Sequence, residues 1–541
     1  MKRFVLIAFL FFVASPGFAQ NIDTREYSPK STQKYLGATE SQAIEQEPVA
    51  AGPEAVGITP LTGDVQLWGP NGGSYYWRPE ADTLSNGNAI VLGGMRKAAY
   101  WTFTEDAENC RDMIAIFSPT GELLEPARPA FFTNAGEPWE DTICTSRNDD
   151  KFYGLCADTV EGRSGARYVV QTIANPDAFP EAFPGHAQEQ PYQYHTVIQV
   201  ISNDGVPETP LINPWGDYAS EYGLIRGGIV RFLSNGNIVV NFEDRTDSGD
   251  AKKAFYNTTE DYRSLVGIVI LGPDGSIVKP PTPISNPSGD NSENRFGLTS
   301  GDGWFVVRYR DAVDGPTIVA FDNDGNELGG GAGRLYPAVN IAELLGDGGN
   351  RGDPNGLEAV GDVLYITHRG ADRRGYLSTI RVSDSGLSVI KTIRFTDHPQ
   401  STFEHNADLG VDSAGNVIVA WQDASWERFQ EGRWECLARM FDRDLEPLTP
   451  SFCIFEIGNN TDVDEIDPVL GPGRTKKVRV AMNDDIIIAI AASNEVPYGD
   501  PESSTAMSPV GGDDDDWYTY TYIARVLQNP EKTRVKDWAI Y

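Results

Sequence analysis

One short pattern returns along most of this chain and constrains its fold more than any other feature. A Gly flanked by Asn or Asp is followed by a run of β-branched and aromatic residues, as at 84–94 (LSNGNAIVLGG), 233–244 (LSNGNIVVNFED) and 412–423 (DSAGNVIVAWQD). Looser copies lie at 299–311, 358–370 and 482–493. Gly with Asn or Asp supplies the positive φ of a tight hairpin, and the run behind it reads as a buried strand. A second hairpin signal follows each first one, at 117–124 (FSPTGELL), 270–278, 320–328, 382–390 and 440–448. Two hairpins make a four-stranded meander, the unit of a propeller blade. With a further unit at 144–213, whose turns fall near 162–165 and 202–205, seven copies fit between residue 64 and the C-terminus. The spacing predicts an all-β, seven-bladed β-propeller of four-stranded antiparallel blades. A pair of β-sandwiches explains the hairpins but not their regular return. Ring closure needs a strand from the other chain end, and both 64–68 (DVQLW) and 535–541 (VKDWAIY) suit.

The units resemble the Gly-Asn hairpin repeats of secreted bacterial propeller proteins, in which a G-N-x-V-V-x-W strand precedes an R-F-D-x-x-G turn. Here 415–421 (GNVIVAW) and 439–444 (RMFDRD) come closest. The resemblance implies the fold and carries no catalytic residues with it. There is no sialidase Asp-box, no run of WD dipeptides and no kelch double-glycine series.

The ends of the chain read differently. Residues 1–19 have Lys2 and Arg3, an apolar run from Phe4 to Val13 and a small-residue site ending at Ala19, the pattern of a secretory signal. The apolar run is too short to span a bilayer, so a secreted or periplasmic protein without membrane insertion is expected. Residues 20–62 are polar and unpatterned and read as a linker, leaving 63–541 for the propeller. A net charge of -34 argues against nucleic acid as a partner. Export permits disulfides, and the chain has five Cys. Cys144 with Cys156 and Cys436 with Cys453 are close enough in sequence to bridge neighbouring strands, which leaves Cys110. No spacing supports a metal site. Calcium is the one cofactor considered, at the acidic run 513–516, where a solvated loop is the simpler reading; 322–326 (DNDGN) reads as a turn.

In a four-stranded blade the first-to-second and third-to-fourth turns share one face, and the other connections share the opposite face. The connections 95–111, 174–194, 244–264, 424–434 and 494–516 are long and unlike one another, so the opposite face should carry the function. His186, His195, His368, His398 and His405 all map there. Four second strands end on Arg96, Arg245, Arg310 and Arg369 at matching distances from the turn Gly, and Arg78, Arg226, Arg295 and Arg351 enter from connections between blades. Guanidinium is a planar fork for carboxylate or sulfate. The competing reading pairs each Arg with an acid of its own or the adjacent blade.

Two function classes fit. The first is a polysaccharide lyase on an anionic, uronate-containing glycan: His405 or His368 as base, Arg369, Arg310 or Arg295 to neutralise the carboxylate, and Tyr222 or Tyr376 as acid. Arg245, Arg96, Arg351 and Arg78 would assist in binding. The second is a non-catalytic propeller that binds a glycan or protein through the same loops. A monomer is expected in either case.

Overall fold

The computed structural model describes residues 52–72, 79–96, 110–133, 135–138, 153–157, 167–174, 195–202, 205–222, 225–246, 249–262, 264–287, 292–311, 315–331, 334–335, 356–369, 375–397, 403–424, 435–455, 475–493 and 519–530. All belong to one compact unit formed by 49–510 and 517–541.

Within that unit the turns follow one design. In 84–88, the Leu84 amide donates to the Asn88 carbonyl and the Gly87 amide to the Leu84 carbonyl. The same pair of bonds recurs at 118–122, 202–206, 233–237, 272–276, 322–326, 412–416 and 442–446. This is a three-residue turn closed by a left-handed residue, which bulges the strand. Gly87, Gly236 and Gly415 hold φ at 87°, 88° and 87°, where a Cβ would be strained. Leu445 occupies the same place at φ 59°.

The turns join strands into antiparallel sheets. The first sheet comprises Glu80–Thr83, Ala89–Arg96, Cys110–Phe117 and Leu123–Pro129; the second comprises Tyr153–Ala157, Arg167–Ala174 and His195–Ser202. The third is Ile225–Phe232, Ile238–Asp244, Leu265–Leu271 and Ile277–Pro283, and the fourth Ser292–Ser300, Trp304–Asp311, Gly315–Asp322 and Arg334–Leu335. The fifth is Leu357–Val360, Val363–Arg369, Gly375–Ser383 and Gly386–Arg394, and the sixth Phe403–Val411, Val417–Ala424, Glu435–Phe441 and Phe452–Cys453. The seventh runs Thr475–Met482, Ile486–Ser493, Thr519–Gln528 and, out of sequence, Val65–Gly72. The N-terminal strand therefore supplies the outermost position of the last sheet; residues 535–541 lie outside the described residues. Each first strand touches the first strand of the next sheet, and that of the seventh touches that of the first.

The inner strands are buried on both faces, as Ile238–Asp244 is throughout, which is why second strands read as unbroken apolar runs. Trp304 and Val306 pack on Leu364 and Ile366 of the fifth sheet. The alternate residues Phe305, Val307 and Tyr309 pack on Val239 and Ile268 of the third.

Three sequence expectations change. Among the described residues the second sheet has three strands, and bridges Ile201↔Pro207 and Ile198↔Ile212 stand in for a fourth. Thr209 fills the ladder there, its hydroxyl accepting from the Val200 amide at 3.0 Å, as Thr449 does from Met440 at 3.0 Å in the sixth sheet. Residues 52–62, inside the stretch expected to be a linker, pack into the body. Ile58 is buried beside Ile487 and Leu527, and the amides of Leu61 and Thr62 donate to the Val526 carbonyl. Finally, Cys436 and Cys453 are buried thiols. Cys453 stands opposite Leu437 in the strand register and shares its face, so Cys436, one residue along, faces the other way. Cys453 enters the core shared with the fifth sheet, Cys436 that shared with the seventh. Nearness in sequence is thus cancelled by strand alternation. The side chains of Cys144, Cys156 and Cys110 lie outside the described residues.

Candidate functional site

The second strands carry four arginines to their ends, as the sequence spacing implies. Arg96 pairs with Cys110 and Arg369 with Gly375 on the last rungs of their ladders. Arg310 is the last rung but one, opposite Pro316, and Arg245 follows the final rung Asp244↔Leu265. Of these side chains, only that of Arg245 is among the described ones. Its Nε donates to Glu243 Oε1 at 2.7 Å, and the same oxygen accepts from Ser264 Oγ at 3.0 Å. At this position the local ion pair is real, formed with Glu243 rather than with the adjacent Asp244.

Strand alternation places His368 on the face of Leu364 and Ile366, between the fourth and fifth sheets. Its ring is 1% exposed. Nε2 shares a hydrogen bond with Ser378 Oγ at 2.8 Å, and Ser378 in turn bonds Thr392 Oγ1 at 2.7 Å. The ring stacks on Tyr376, 5.7 Å between centroids, directly opposite in the register. Nδ1 is buried with no hydrogen-bond partner. Burial, with the Arg308 guanidinium nearby as the smaller cause, lowers the imidazole to about 3. A sealed, neutral ring of that kind is not the solvent-facing base expected from sequence. It instead fixes Tyr376, the half-buried phenol beside it.

The neutral state has a thermodynamic signature. Its folded value lies below the ordinary 6.5, so the stability it contributes is present above pH 6.5 and is lost as pH falls toward 3. His368→Gln is expected to remove that dependence. The stability difference between wild type and variant should shrink by up to about 1.4 kcal/mol per pH unit across this window. Urea unfolding at a series of pH values reads it, and parallel curves would show that the ring takes up its proton alike in the folded and unfolded states.

Two seven-residue helices, Gly216–Tyr222 ahead of the third sheet and Gly249–Phe255 after its second strand, converge on the end of that strand. Asp244 Oδ2 accepts from the phenols of Tyr218 at 2.7 Å and Tyr256 at 2.9 Å, and Oδ1 accepts from the Thr246 amide at 2.8 Å. Lys252 Nζ lies 3.6 Å from Asp244 Oδ1 and is 2% exposed. Burial first and the Asp244 charge second raise the Tyr256 phenol well above its usual range, so it remains a donor.

A further set, which the sequence reading does not single out, belongs to the first strands. Arg231 of the third sheet reaches Glu358 of the fifth at 3.3 Å. Arg479 of the seventh lies 3.7 Å from Glu80 of the first and 4.0 Å from Asp408 of the sixth. Thr299 Oγ1 donates to Glu358 Oε2 at 3.5 Å. Burial pushes Glu358 up to about 7; Arg231 opposes this, while Asp82 and Asp408 add to it. Although 37% of the Glu358 side chain is open, the surrounding protein and its charge disfavour the carboxylate. The signal that would have found these residues is a charged side chain alternating with apolar ones just ahead of a turn Gly.

The remaining candidates divide by what is described. His405 lies in the sixth sheet's first strand opposite Gln422, and Tyr222 ends the first helix. Arg226 and Arg295 sit inside first strands rather than in connections. The side chains of these four lie outside the described residues, as do all of Arg78, Arg351, His186, His398 and residues 513–516. Asp322 Oδ1 accepts from the amides of Asp324 and Asn326, which makes 322–326 the turn it was read as. Among the described residues no group of three or more His, Cys, Asp or Glu is arranged to hold a metal ion.

No protein-family profile and no curated protein sequence matches the chain. Among solved structures, it is similar to a protein of unknown function from Dyadobacter fermentans, at 9% identity over 87% of this chain and 100% of that one, with a TM-score of 0.40. It is also similar to the Trypanosoma rangeli sialidase in complex with the inhibitor DANA, at 9% identity over 89% of this chain and 62% of that one, with a TM-score of 0.37. The Penicillium chrysogenum alpha-L-arabinanase complexed with arabinobiose gives 12% identity over 66% of this chain and 93% of its own, with a TM-score of 0.37.

Proposed function

We propose that the chain is an exported, monomeric, seven-bladed β-propeller that cleaves an anionic, uronate-containing glycan by β-elimination at the face where its second strands end. One observation carries the reading: Arg96, Arg245, Arg310 and Arg369 reach equivalent strand ends in four sheets, at the end where Tyr376 also stands. Arginine recurring at strand ends of a strongly acidic protein supports a polyanion as ligand.

In the reaction, a base removes the proton beside the uronate carboxylate. The electron pair forms the new C=C bond, and the C–O bond to the leaving sugar breaks. The oxygen leaves as it gains a proton. With His368 sealed, His405 is the base, and Arg369, Arg310 or Arg295 offsets the charge that grows on the carboxylate. Tyr376, held by His368, or Tyr222 supplies the proton to the leaving oxygen.

Incubation with acidic polysaccharides should raise ultraviolet absorbance as unsaturated uronate ends form. His405→Ala should lower kcat by about 10²–10⁴-fold while the glycan is still retained. Retention without absorbance across a broad panel would replace this reading with the non-catalytic one, which the burial of His368 favours by leaving one of the two nominated bases. Neither retention nor absorbance would end both.

A further inference from the structure

The charged side chains on the first strands do work that glycan recognition does not require. They come from five sheets, and each ion pair joins strands of different sheets. Arg231 and Glu358 are 127 residues apart in sequence, and their bond ties the first strand of the third sheet to that of the fifth, skipping the sheet between them in the chain. Among the described residues, the fourth sheet contributes the Thr299 hydroxyl, on the second oxygen of the same carboxyl. Asp82 of the first sheet and Asp408 of the sixth bring like charge to Glu358. Tyr365 of the neighbouring strand stands opposite Glu358 in the register, and Arg479 faces Glu80 and Asp408 on the other side. Among the described residues, four carboxyl groups meet two guanidinium groups here, a balance that favours a proton on one carboxyl.

We propose that Arg231 and Glu358 form a pH-sensitive clasp, which ties the third sheet to the fifth while Glu358 is ionised and lets go when Glu358 takes up one proton. The clasp lies on the propeller axis in the reading above, but its titration stands apart from any glycan. Glu358 is the carboxyl that bonds Arg231 and also faces Asp82 and Asp408. Arg231 keeps a second bond to the Val230 carbonyl at 3.0 Å, so release moves the guanidinium away from Glu358 without setting the strand loose.

The folded value near 7 lies above the usual 4.5, so stability from Glu358 is present below pH 4.5 and is lost as pH rises through about 7. The opposing His368 contribution covers an overlapping range, so variants are compared with wild type at each pH rather than read alone. The folding constant of wild type relative to Glu358→Gln should fall several-fold per pH unit between pH 5 and 7 and level off above. Parallel profiles across that range would overturn the clasp. Should Glu358→Gln fail to fold, Asp82→Asn keeps Glu358 and removes one of its repelling neighbours. The loss of stability should then complete at a lower pH than in wild type, and an unmoved profile would overturn the proposal equally.

Discussion

Asp244→Ala is expected to cost about 3–5 kcal/mol, the scale for removing one member of a buried ion pair. The carboxylate is wholly buried, accepts from three donors, two phenols and one backbone amide, and pairs with the Lys252 ammonium. Replacing it by a methyl removes the negative charge that the buried ammonium faces, and withdraws the acceptor from Tyr218 and Tyr256 at once. The loss should be local in origin. Tyr218 stacks on Phe255, and Tyr256 packs edge-on against Phe255, so the two helices depend on each other through the same carboxylate. Urea unfolding measures the effect. Replacing Lys252 by Met in the same chain removes the stranded charge and should restore a large part of the stability, an interaction that a double-mutant cycle isolates. If Asp244→Ala costs under 1 kcal/mol, the network does not hold the helices.

How much of this could be read from residues alone depends on the range of the interaction involved. The turns were legible because positive φ is a local demand that Gly meets: Gly87, Gly236 and Gly415 mark three hairpins without any knowledge of neighbours. The regular return of those hairpins carried the sheet plan as well. Facing was partly legible. In 363–369 (VLYITHR), His368 shares the parity of Leu364 and Ile366, so its burial follows from alternation, a rule that outweighs the usual polarity of histidine. The same rule separates Cys436 from Cys453, whose nearness in sequence suggests the opposite. What could not be read were contacts set by the meeting of distant sheets. Nothing around Glu358 in GLEAVGD announces Arg231, and Asp244 looks like a strand-end acid until two helices close on it. Arg245 shows the middle case: its partner is in its own strand, two residues away, on the rung that the adjacent acid obscures.

Deletion of residues 52–72 is expected to have the largest effect of any single change, because the seventh sheet borrows its outer strand from them. Val65–Gly72 pairs with Thr519–Gln528 through Val65↔Ala524, Gln66↔Ile523 and Trp68↔Tyr522. Ahead of it, Pro60 bridges Leu527, the Gln528 amide donates to the Thr59 carbonyl, and Thr62 Oγ1 accepts from the Val526 amide at 2.9 Å. Loss of this segment would turn 519–528 into a long apolar edge strand, a template for pairing with other chains. It would also strip a buried cation of carboxylates. Arg525 is 1% exposed, and its guanidinium lies 3.3 Å from Glu54 and 3.9 Å from Asp64, both within the deleted stretch. The two losses reinforce each other, so the truncated chain should aggregate or unfold at ambient temperature. A synthetic peptide of residues 52–72 added during refolding should recover soluble monomer, since the same pairing is then available from a separate chain. Substituting Arg525 by Met in the truncated chain tells the two causes apart: aggregation that persists is due to the open edge, and recovery of solubility assigns the defect to the uncompensated charge. A truncated protein that stays monomeric and unfolds at the wild-type urea midpoint would mean that the seventh sheet closes without its borrowed strand.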